Sequence, residues 1–80
     1  MNLPTGVSLT EARNIEIALK LAKDDMGALA KLRNAAAMLA QSYLPDADKG
    51  EGLWRKAMSL MLALRRRALI KGPPVIQGGS

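Results

Sequence analysis

The chain has 80 residues, twelve Lys/Arg against seven Asp/Glu, and a formal net charge of +5 at pH 7. It has no Cys and no His, which excludes disulfides, thiolate metal sites, and the commonest general base and metal ligand. A chain this short makes one domain with a marginal core, because it buries little more than about 60% of its extended surface.

The charge is unevenly placed. Residues 1–50 carry six Lys/Arg and six Asp/Glu and sum to zero. Residues 51–80 carry six Lys/Arg and one acid, Glu51, and so hold the whole +5. Such asymmetry predicts an acidic partner: nucleic acid, anionic lipid or an acidic protein face. The plainer reading is a solvated helix face. Arg65, Arg66, Arg67 and Lys71 would then sit where cations favour the dipole of a helix C-terminus.

Residues 1–7 read as an irregular lead-in, punctuated by Pro4 and Gly6. Ser8 and Glu11 then have the spacing of a capping box, with Val7 and Ala12 at the staple positions. This predicts a first helix over about 9–24. Its apolar side holds Ile15, Ile17, Ala18, Leu19, Leu21 and Ala22. Glu16 and Lys20 form a favourably ordered pair on the other side.

Two readings stand for Lys23-Asp24-Asp25-Met26-Gly27. Lys20 and Lys23 suit a helix C-terminus, and Asp24 or Asp25 suits an N-cap, which predicts a break near 24–26. Against it, apolar 3, 4 spacing runs from Ala12 to Tyr43, which predicts one long merged helix. The second helical run is expected over 25–44, with Pro45 as its stop. Its apolar face is Ala28, Leu29, Leu32, Ala35, Ala36, Leu39, Ala40 and Tyr43. The small residues there predict the close approach of another helix.

The loop begins Asp46-Ala47-Asp48-Lys49-Gly50. Its D-x-D-x-G start is not a calcium loop. Counted from Asp46, the glycine place is Glu51 and the final glutamate place is Ala57. Asp46 or Asp48 is instead expected to cap the last helix, over 48–71.

That helix, set out at about 100° per residue, gathers Leu53, Trp54, Ala57, Met58, Leu60, Met61, Leu62, Leu64, Ala68 and Leu69 in a sector of roughly 200°. Arg65 alone intrudes. Arg55, Lys56, Arg66 and Arg67 lie opposite. One neighbouring helix cannot cover an arc this wide, so part of the cover is expected from another chain. Trp54 is expected to anchor the seam. Gly72 and Pro73 read as a stop, and 73–80 as a flexible tail after a single helical domain, 1–72.

The expectation is therefore an all-α bundle of two to three helices. Catalytic, cofactor-binding and metal-binding residues are all expected to be none, and the chain is not expected to be an enzyme. Asp24 and Asp25 diverge by about 100° on a helix and make no dyad. The function expected is protein-protein interaction, as an adaptor, inhibitor or regulatory subunit, the expected partners being an acidic or apolar protein surface and a second copy in a homodimer. The expected contact residues are Trp54, Met58, Met61, Leu62, Arg55, Lys56, Arg66 and Arg67. The alternative is a nucleic-acid-binding regulator that uses the basic face of the last helix. Binding to a membrane surface, or to a calmodulin-type groove, would require that helix to leave the bundle. No apolar run approaches the roughly 18 residues of a membrane span. Residues 1–12 lack the charged and apolar regions of a signal peptide, so the cytoplasm is the expected location.

Overall fold

Five large apolar side chains close the centre of this chain: Ile15 and Leu19 from one helix, and Leu29, Leu32 and Leu39 from the next. The computed structural model describes residues 8–71, with the side chain of Lys71 left out. The expected lead-in 1–7, the staple residue Val7, the stop at Gly72 and the tail 73–80 lie outside the described residues. Three helices follow in order: α1 (Ala12–Ala22), α2 (Met26–Ala40) and α3 (Ala47–Lys71). No strand occurs among the described residues. The fold is the expected all-α bundle.

The start of α1 differs from expectation. The helix begins at Ala12 rather than 9, and Glu11, the residue before it, makes no side-chain cap. The Ser8–Glu11 capping box does not form. Ser8 Oγ instead bonds Thr10, through its hydroxyl and its backbone N–H. The exposed N-terminus of α1 is satisfied from across the chain: Ala12 N–H donates to Asp46 Oδ2 at 2.7 Å. Asp46 therefore caps α1, although its place immediately before Ala47 suggested a cap for α3.

Helices α1 and α2 are separate, so the merged-helix reading is corrected. Lys23 breaks the run with φ 48°, ψ −110°. Asp25 N–H then donates to Ala22 O at 2.8 Å and closes a four-residue turn. Those Lys23 angles match the first central position of a type II′ turn, where glycine is the usual residue. Asp25 restarts the helix, with Oδ1 accepting from Ala28 N–H at 3.1 Å. Gly27, the last residue of the ambiguous stretch, lies inside α2 and is not the breaker.

Helix α2 ends at Ala40, four residues before the expected 44. The physical reason is Ser42. Its hydroxyl donates to Leu39 O at 2.6 Å and accepts from Leu44 N–H at 3.2 Å. Such local bonds offer the backbone an alternative to further helix. Tyr43, counted on the apolar face, is consequently outside α2 and fully exposed.

The largest contact is between α2 and α3, and α1 packs on both. It depends on small residues, as expected. Gly50 of α3 is buried so closely on α2 that a Cβ there would lie 2.4 Å from Ala40 N and 2.8 Å from Ala36 O. Ala57, about two turns further along the same side of α3, is fully buried on the same core. Ile17 and Leu21 stay about half exposed (46% and 45%) because they lie at least about 120° round α1 from Ile15. No helix among the described residues is long and apolar enough to cross a membrane.

Candidate interaction face on the last helix

Helix α3 contributes little that is fully buried. Gly50 and Ala57 are its buried residues. Leu53, Leu60, Met61 and Leu64 are partly buried against the core. From Arg65 to Ile70 every residue is exposed. The apolar arc of about 200° therefore divides into a core-facing half and an open half.

Trp54, Met58 and Leu62 form the open half. They recur every four residues and share a sector of about 80°. Trp54 is 38% exposed and Leu62 48%, with Met58 half-buried between them. Leu69, on the same side, is 75% exposed. Trp54, expected both to anchor the seam and to be a contact residue, is thus not a fully buried anchor. The indole lies on the α2-facing shoulder of α3 and walls a recess of about 380 Å³ with Ala37, Ala40, Gln41 and Glu51. The alanines on the α2 wall leave room beside the ring. A second recess, of about 320 Å³, lies between the α1 lead-in and the end of α2, lined by Leu9, Thr10, Ala35, Met38, Leu39, Ser42 and Leu44.

The expected contact residues do not form one surface. Trp54, Met58 and Leu62 come together on the open shoulder, while Met61 turns toward the core. Three of the four expected cations are already engaged within the chain. Arg55 meets Glu51 at 2.6 Å, one turn away. Lys56 meets Glu16 of α1 at 3.7 Å. Arg67 meets Asp24, in the α1–α2 turn, at 2.6 Å. Arg66 and its neighbour Arg65 have no ion pair or hydrogen bond among the described residues. Arg65 had been read as a misfit in the apolar arc. Its place, about 20° from Trp54 on the helix, sets it within the open shoulder.

Among the described residues, Asp25 has a lowered pKa. The Ala28 N–H, with a smaller contribution from the Gly27 N–H, holds its carboxyl below the usual carboxylate range against a smaller opposing effect of burial. Its job is to begin α2. Among the described residues no group of three or more acids, Cys or His converges as a metal site.

No family of known proteins, no curated protein and no solved structure matches this chain.

Proposed function

We propose that the chain is a small helical protein-protein interaction module, an adaptor, inhibitor or regulatory subunit of the cytoplasm that acts by covering a surface of another protein. One observation carries the reading. The core is closed by Ile15, Leu19, Leu29, Leu32 and Leu39, yet Trp54, Leu62 and Leu69 remain open to solvent on one side of α3. Tryptophan and arginine, both enriched at interface hot spots, stand in this row, with the leucines adding apolar area. Met58 adds an adaptable side chain to that row. The bundle need not open to present it.

The test is covalent capture. A photo-cross-linking side chain in place of Met58 should join the module to a discrete protein in host extract. Trp54→Gln or Leu62→Gln should abolish the product. Cross-linking to nucleic acid alone, or to a protein regardless of those two substitutions, would overturn the reading.

The nucleic-acid alternative has Arg65 and Arg66 in its favour, as cations left without an acid partner. Glu16, Asp24 and Glu51 count against it, because they hold three of the remaining α3 cations. A duplex bound through phosphates would be released steeply as salt rises.

A further inference from the structure

We infer that the partner presents an acidic amphipathic helix, which lays its apolar side on Trp54, Met58 and Leu62 and sets its carboxylates against Arg65 and Arg66. This rests on the interaction reading above and names the chemistry of its occupant.

The argument begins with the charges. A cation already paired with a neighbouring carboxylate offers little to a newcomer, since the newcomer must displace or share that carboxylate. Arg55, Lys56 and Arg67 are in that position, with partners at 2.6, 3.7 and 2.6 Å. Arg65 and Arg66 have no acid partner among the described residues and are exposed. Arg65 stands within the apolar row, and Arg66 lies about 40° beyond Leu62. On α3, the positive charge left without an acid partner among the described residues therefore lies in and beside the open apolar shoulder. Guanidinium groups there favour carboxylates, which they bind in a planar fork.

The exposed row and the open recess beside it suit a helix laid alongside. Trp54 rises on one side of a recess of about 380 Å³, whose α2 wall is Ala37, Ala40 and Gln41. A shallow, open recess with small residues on one side leaves room for an apolar side chain of a helix laid alongside. A lipid surface would need the apolar residues to stand proud of the protein. From Trp54 to Leu69 the row extends about 22 Å, the length of about 15 residues of helix. A second copy laid parallel on the same face is disfavoured, because it would set Arg65 and Arg66 against their own counterparts.

The experiment follows Trp54 emission, which reports on the slot because this is the chain's sole tryptophan. Three synthetic helical peptides of about 15 residues, roughly four turns, share one leucine row and differ in their flanks, which are Glu, Gln or Lys. Phosphatidylserine vesicles and a random DNA duplex are titrated in parallel. At low ionic strength the Glu peptide should bind at least about tenfold more tightly than the Gln peptide, and the Lys peptide should bind least. Arg65→Gln with Arg66→Gln should remove that advantage while the helical circular dichroism stays unchanged. Arg55→Gln with Lys56→Gln should leave most of it. Equal binding of the Glu and Gln peptides would overturn the acidic chemistry and leave the interaction face standing. Vesicles or duplex binding at Trp54 while no peptide does would overturn both.

Discussion

Two glycines on the same helix make opposite predictions. Alanine is the better helix former by about 1 kcal/mol, so propensity alone favours replacing either. At Gly50 the added Cβ would fall 2.4 Å from Ala40 N and 2.7 Å from Ala40 Cα. Both are backbone atoms that cannot turn aside, so α3 must move off α2. Overpacking of this kind costs about 1–3 kcal/mol and exceeds the propensity gain. At Gly52 a Cβ would meet nothing within 4 Å. Gly50→Ala should therefore lower the urea midpoint, and Gly52→Ala should raise stability by about 0.5–1 kcal/mol. If the two variants shift in the same direction, the close α2–α3 contact is misplaced.

The aspartates are equally specific. Asp46→Ala removes the acceptor for Ala12 N–H and should cost about 1–2 kcal/mol, with loss of amide protection at the start of α1. Asp25 carries a pH signature. Its carboxyl is held below the ordinary value of 3.8, mainly by the Ala28 N–H. A depressed folded pKa means that its contribution is complete above the unfolded pKa. The contribution declines as pH falls below 3.8 and is gone once pH passes the folded value. Asp25→Asn should flatten that acid limb of the stability curve. An unchanged limb would show that the carboxylate is not the cap.

At the scale of the elements, the turn between α1 and α2 is held in a backbone conformation that lysine adopts reluctantly. Lys23 at φ 48° sits where glycine is usual. Lys23→Gly should stabilise by up to about 1 kcal/mol, the relief of strain being partly offset by greater freedom of the unfolded chain. A lower thermal midpoint for this variant would contradict that assignment. The same turn carries Asp24, which Arg67 reaches from α3. Exposed pairs of this kind contribute about 0–1 kcal/mol each, so replacing Arg55, Lys56 and Arg67 by Gln should leave the bundle folded.

The elements themselves were largely legible in the sequence. Apolar periodicity gave helix type, the Lys23–Asp25 stretch gave one of two readings for the break, and the small residues of α2 anticipated the close approach of α3. What was not legible depended on partners distant in the chain. The Ser8–Glu11 spacing is a local signature, but the N-terminus of α1 is capped by Asp46, 34 positions away. Periodicity measured the width of the α3 apolar arc and not how much of it the other helices cover, so it did not say how far Trp54 is buried. The four cations looked equivalent because the ties of Lys56 to Glu16 and of Arg67 to Asp24 exist only once α1 and α3 meet. Arg65 was set aside for interrupting the arc, and that interruption was the available signal.

For the whole molecule, the size of the chain and the openness of α3 bear on assembly. The sequence expectation of a homodimer is tested by light scattering. The acidic-helix account predicts the monomer mass of 8.6 kDa, constant on dilution. A concentration-dependent rise toward twice that mass would assign the open shoulder to a second copy. Salt should weaken partner binding chiefly through slower association, since screening removes the contribution of Arg65 and Arg66.

The central claim is that the Trp54–Met58–Leu62 row serves binding and is dispensable for folding. Its most direct test is urea unfolding of the triple variant Trp54→Gln, Met58→Gln, Leu62→Gln, followed by circular dichroism. Glutamine suits an exposed helix position about as well as leucine or methionine. The account predicts a helical protein with a single cooperative transition, its loss of stability staying below the roughly 4.5–9 kcal/mol that three fully buried side chains of this size would give. Loss of the cooperative transition would contradict it, and would place these three side chains in the core of the fold.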